Sequence, residues 1–70
     1  MAIIHTPQEL EIILGNNVKS LRLQKNLDRK SLCLQAGVSL NALKNLENAK
    51  GSTLMTLIRV LKALGNEEWI

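Results

Sequence analysis

Between Ala36 and Leu40 the chain offers only Gly37-Val38-Ser39 as a connection, and the segment on each side has its own start signal. Asp28 is an N-cap for Arg29 to Ala36, about two helical turns, which Gly37 stops. Ser39 is an N-cap for a segment whose apolar positions are Leu40, Leu43 and Leu46. Two short helices joined through so brief a corner cannot lie antiparallel and are held at a steep angle. Gly37 is expected at a positive-φ position and Val38 as the buried residue of the turn. Leu32, Cys33, Ala36, Leu43 and Leu46 are expected to weld the two helices together. The second helix then stands proud of the surface, with Asn41, Lys44, Asn45 and Asn48 on its remaining faces.

The rest of the chain supplies two further helices. Thr6-Pro7-Gln8-Glu9 combines an N-cap, a proline at the first helical position and a glutamate three residues after the cap. Leu10, Ile13, Leu14, Val18 and Leu21 continue it at helical spacing, so a helix is predicted over about 7–25, stopping at Lys25-Asn26. Ala49 to Thr53 breaks and recaps the pattern, and Leu54, Leu57, Ile58, Leu61 and Leu64 form the stripe of a last helix closed by Gly65. Glu67-Glu68-Trp69-Ile70 reads as the first turn of another helix. No period-two strand pattern and no repeat occurs, so the fold class is all-α: a compact four- to five-helix domain. Residues 1–6 are read as an N-terminal arm and 7–70 as one domain, with the steeply joined pair at about 28–48.

Composition bounds the function classes. Seventy residues, 46% of them apolar and 14 of them Leu, make one small folded domain rather than two domains or a disordered chain. The single cysteine, Cys33, and single histidine, His5, cannot form an internal disulfide, a triad or a Cys/His metal site. With no nucleophile–base pair, metal set or phosphate loop, the sequence is read as non-enzymatic and free of cofactors. No long apolar run suggests a membrane span or signal peptide, so a cytoplasmic location is expected. Net charge is +3, concentrated in residues 19–50, where seven lysines and arginines face only Asp28 and Glu47 to give +5. A polyanion suits such a segment, and a solvated basic face accounts for the charge equally well.

The run Leu27-Asp28-Arg29-Lys30-Ser31-Leu32-Cys33-Leu34-Gln35-Ala36-Gly37-Val38-Ser39-Leu40-Asn41-Ala42-Leu43-Lys44-Asn45-Leu46-Glu47-Asn48-Ala49-Lys50 resembles the Cro/CI-type (XRE, lambda-repressor-like) helix-turn-helix DNA-binding domain. The resemblance extends to Val18 through Arg22 and to Thr53 through Gly65, covering about 14–66. Three positions depart from the pattern: Arg29 stands where the family usually has Gln, Ala49 where a Gly commonly closes the recognition helix, and Cys33 where a small Ala is usual. Cys33 is read as a small buried hydrophobe. A left-handed conformation at Ala49 would be strained or passed to Gly51.

The resemblance implies that the helix after Gly37 enters the major groove and that Leu40, Asn41, Lys44 and Asn45 face base edges. Asn suits the donor–acceptor pair of adenine and Lys the two acceptors of guanine. Leu40 has two readings, a contact to a thymine methyl or an ordinary core leucine. Arg29, Asn48 and Lys50 are candidate phosphate contacts, joined by the free N–H groups of the helix starts at Asp28 and Ser39. Arg22, Glu47, Gly37 and Val38 are implied to be structural, with Arg22 pairing Glu47. The partners implied are double-stranded DNA and a second copy of the chain, and the function a repressor reading an inverted-repeat operator. A HipB-like antitoxin that neutralises a kinase-type toxin is the alternative. Helix 4 and Trp69 are read as closing the core or as partner surface.

Overall fold

The computed structural model describes residues 5–66, which form α1 (Pro7–Gln24), α2 (Arg29–Ala36), α3 (Leu40–Glu47) and α4 (Leu54–Ala63). No strand occurs among the described residues. Met1 to Ile4 of the expected arm, and the expected helix turn at Glu67 to Ile70 with Trp69, lie outside them. Each helix starts where a short polar side chain accepts one of the first backbone N–H groups, which have no partner within the helix. Thr6 accepts from Glu9 at 3.1 Å, Asp28 from Ser31 at 2.7 Å, Ser39 from Ala42 at 3.0 Å and Thr53 from Thr56 at 3.1 Å.

Three helices also end alike. Just beyond the last turn of α1, α3 and α4 the chain turns left-handed, at Asn26 (φ 56°), Ala49 (φ 57°) and Gly65 (φ 74°). The next residue's N–H then bonds back into the helix: Leu27 to Arg22 O at 3.1 Å, Lys50 to Asn45 O at 2.8 Å and Asn66 to Leu61 O at 2.9 Å. The helix-turn-helix corner is made by Gly37 at φ 70°, a conformation that costs a residue without Cβ little.

Val18, Leu32, Cys33, Leu43, Leu46, Val60 and Leu64 form the core, with Leu21, Leu27, Ala36, Val38, Leu57 and Ala63 packed against it. α3 touches all three other helices, and α2 also packs on α4. Two parts of the expected apolar stripes are corrected. Leu10 and Ile13 are 52% and 41% exposed, because the buried side of α1 centres on Gly15, Val18 and Arg22. α1, with 18 residues, is about 27 Å long and α3, with eight, about 12 Å, so the first turns of α1 have little of α3 to cover them. Likewise Leu54 is 72% exposed in the first turn of α4, while Val60, outside the predicted stripe, is fully buried.

Gly15 sets how closely α1 lies on α3. A Cβ at this position would stand 2.6 Å from the carbonyl oxygen of Leu46 and 2.8 Å from that of Glu47, backbone atoms that cannot swing away. Gly15→Ala should therefore lower stability by about 1–3 kcal/mol by overpacking, although alanine is the better helix former. Urea unfolding followed by circular dichroism would show it as a lower midpoint with an unchanged slope.

Candidate nucleic-acid interface

The candidate interface is supported from within by a buried carboxylate. Glu47, the last residue of α3, is 3% exposed and receives Arg22 from α1 as a two-pronged partner: Nε donates to Oε2 at 2.8 Å and Nη2 to Oε1 at 3.3 Å. The remaining Arg22 nitrogen, Nη1, donates to the Leu27 carbonyl at 2.8 Å and so holds the link between α1 and α2. Arg29 at the start of α2 adds a third donor, its Nε lying 3.1 Å from Glu47 Oε1. Among the described residues no buried side-chain nitrogen or oxygen lacks a hydrogen-bond partner.

This cluster and the core hold one side of α3, through Leu43, Leu46 and Glu47. The other side carries the residues the sequence marks as base readers. Asn41 and Lys44 are exposed, Asn45 is half-buried, and Leu40 is 45% exposed and stands outside the core cluster. Asn48 continues the same strip one turn on and is exposed, as is Lys50 in the loop that follows. These side chains present amide donors and acceptors, an ammonium group and one apolar tip along a single short helix.

The candidate phosphate contacts divide into two kinds. Ser39 and Asp28 are both exposed and both occupied as caps. The Ser31 N–H holds the Asp28 carboxyl below the usual aspartate range, so it is anionic at neutral pH. A phosphate at that helix start would meet backbone N–H groups and Arg29 rather than the Asp28 side chain. Arg29 is partly committed: its Nε edge faces Glu47, its side chain is 29% exposed, and the opposite edge of the guanidinium fork is what it can offer an anion. Arg29 thus ties the start of α2 to the end of α3 by an ion pair.

Cys33 is 8% exposed, and its thiol points at the Ser39 carbonyl at 3.5 Å. Burial, and then the nearby negative charge of Glu47, push its pKa up, which makes it a packing residue with little thiolate. Besides the Arg29–Glu47 pair, two polar links escaped the sequence reading because their partners are far apart along the chain. Arg59 on α4 donates through Nη1 to the Gly37 carbonyl at 3.2 Å, and the Gly51 N–H donates to Glu11 Oε2 at 2.8 Å. A groove of about 280 Å³ between Glu11, Leu14, Leu46, Ser52, Thr53, Leu54 and Leu57 carries one carboxylate and no second titratable group to work with it. No cluster of three His, Cys, Asp or Glu suited to a metal occurs among the described residues.

Arg22→Ala leaves Glu47 buried with only the partly exposed Arg29, and should cost about 3–5 kcal/mol, the range for breaking a buried pair. A melting curve that does not move would show the pair to be worth nothing net. Ala49→Gly should act in the opposite direction. It relieves a left-handed alanine and should raise stability by about 1 kcal/mol, or roughly 4–8 °C in Tm for a domain of this size.

The family model described as helix-turn-helix matches residues 18–70, which include α2, the Gly37 corner and α3. No curated protein and no solved structure gives a significant match. The match spans most of the chain, and the exposed strip of α3 is the surface such a motif presents to a duplex. The chain belongs to the helix-turn-helix family of the Cro/CI (XRE) type, a family of DNA-binding regulatory domains.

Proposed function

We propose that this protein is a sequence-specific transcriptional repressor that reads an inverted-repeat operator as a homodimer and needs no cofactor. The observation that carries the reading is the division of α3: Leu43, Leu46 and Glu47 are buried, while Asn41 and Lys44 stand free of the protein. Leu40, Asn41, Lys44 and Asn45 are assigned to base edges in the major groove. Arg29, Asn48, Lys50 and the helix starts at Asp28 and Ser39 are assigned to phosphates. Repression is by occupancy: a bound dimer excludes polymerase. A single module with four readers specifies few bases, so a second copy is needed to single out one site in a genome. The two recognition helices would then fall about 34 Å apart on one face of the duplex.

Access to duplex DNA places the protein in the cytoplasm in this reading. Among the described residues no helix is long and apolar enough to cross a membrane. A second reading, a HipB-like antitoxin that neutralises a kinase-type toxin and represses its own operon, is favoured by Leu54 and Met55. They are 72% and 55% exposed at the start of α4, an apolar surface for which DNA has no use. The two readings share the DNA-binding face and differ in whether a protein partner binds as well.

Affinity for duplex DNA should fall steeply with salt as cations on this face displace condensed counterions, and Lys50→Ala should lower the log–log slope by about one. It should weaken all sequences alike. Asn41→Ala and Asn45→Ala should each cost about 1–3 kcal/mol, at matching positions in both half-sites. Footprinting and titrations across salt concentrations check these outcomes. A flat salt profile would remove DNA as the partner, and full affinity of a monomer for one half-site would remove the dimer.

A further inference from the structure

The loop that leaves α3 carries Asn48 and Lys50, both exposed, in a shape its own residues do not favour. Ala49 lies at φ 57°, a left-handed conformation that side chains with a Cβ avoid and that persists only where neighbours over-determine it. Two ties do so. The Lys50 N–H donates to the Asn45 carbonyl at 2.8 Å, and the next N–H, that of Gly51, donates to Glu11 Oε2 at 2.8 Å. The first tie belongs to α3 itself; the second comes from α1, 40 residues away in sequence. Glu11 is half-buried, whereas Leu10 and Ile12 beside it are exposed. On charge alone, a carboxylate one residue from a lysine that meets phosphates works against binding. Its geometry supplies the opposite effect, because it grips the peptide that orients the lysine.

We propose that Glu11 is a positioning residue for DNA binding: its carboxylate fixes the Gly51 peptide, so that Lys50 and Asn48 meet the phosphate backbone already ordered. A loop ordered beforehand loses less freedom on binding, and the saving appears as affinity. The inference rests on the reading of Lys50 as a phosphate contact, and sequence discrimination by α3 plays no part in it.

The test compares Glu11→Gln, which keeps an acceptor oxygen but removes the charge, with Glu11→Ala, which removes both. The two are measured alone and combined with Lys50→Ala. Anisotropy titrations of one labelled duplex, and of an unrelated duplex, are run from about 50 to 200 mM salt, with thermal melts to select a temperature at which every variant is folded. Glu11→Gln is expected to bind as tightly as the unaltered protein or more tightly. Glu11→Ala is expected to bind about two- to tenfold more weakly than Glu11→Gln, the worth of one hydrogen bond. Its salt slope falls by about one, the ratio between the two duplexes is unchanged, and the loss vanishes when Lys50 is already Ala. Equal affinities of the two Glu11 variants, or losses that simply add in the double variant, would overturn the proposal. Lys50→Ala leaving the salt slope untouched would remove the phosphate reading itself, and the positioning role with it. That result is distinct from a Lys50 effect that Glu11 does not modulate.

Discussion

Glu47 closes α3 with a carboxylate that has almost no contact with water, and three helices meet where it is satisfied. A buried carboxylate costs several kcal/mol unless donors surround it at good geometry. Here the donors come from two other helices, Arg22 from α1 and Arg29 from α2. Apolar packing has no preferred direction, whereas a guanidinium fork on a carboxylate does. One anion at the end of α3 therefore receives directed bonds from both α1 and α2. Arg22 also secures the Leu27 carbonyl, so the chain between α1 and α2 is held by the same side chain.

The close approach of α1 to α3 occurs at the same place. Gly15 faces the carbonyls of Leu46 and Glu47, and a side chain there would separate the helices that Arg22 and Glu47 join. These two constraints act on the last turn of α3. Its first turn is held by the Ser39 cap and by the corner at Gly37, whose carbonyl also receives Arg59 from α4. An eight-residue helix would be marginal in isolation. Held at both ends and along Leu43 and Leu46, α3 presents its free side as a rigid surface, which is what reading base edges by bidentate hydrogen bonds requires.

Charge is placed by the same logic. The basic excess of residues 19–50 is not uniformly solvated. Arg22 is consumed inside the protein and Arg29 is shared between Glu47 and the surface, while Lys44 and Lys50 are exposed. The number of cations in this segment thus overstates the number free to meet an external anion. Arg29, for which composition suggests only a positive charge, is both a brace for the end of α3 and a donor with one edge left over.

The starts and stops of the helices were legible because each depends on groups within about five residues of one another. Thr6 with Glu9, Asp28 with Ser31, Ser39 with Ala42, and Gly37 at the corner need no other part of the chain. The pairing of Arg22 with Glu47 came only through the family resemblance, since nothing in the 24 residues between them indicates it. Periodicity named the side on which Leu10, Ile13 and Leu54 lie, but exposure depends on whether a neighbouring helix reaches that far: α3 is too short to cover the first turns of α1, and Leu54 is exposed in the first turn of α4. The links Glu11 to Gly51, Arg59 to Gly37 and Arg29 to Glu47 join residues 40, 22 and 18 apart, and any of these charged side chains could equally have faced water. The sequence by itself determined four helices, their caps, the sharp corner and the strip of Asn and Lys on α3, because local hydrogen bonding and backbone sterics act over a single turn. That the stripes stay exposed at Leu10, Ile13 and Leu54, that Arg29 is withdrawn into an ion pair, and how the exit loop of α3 is held were decided only by the tertiary structure, because they depend on relative helix lengths and crossing positions that no local pattern encodes.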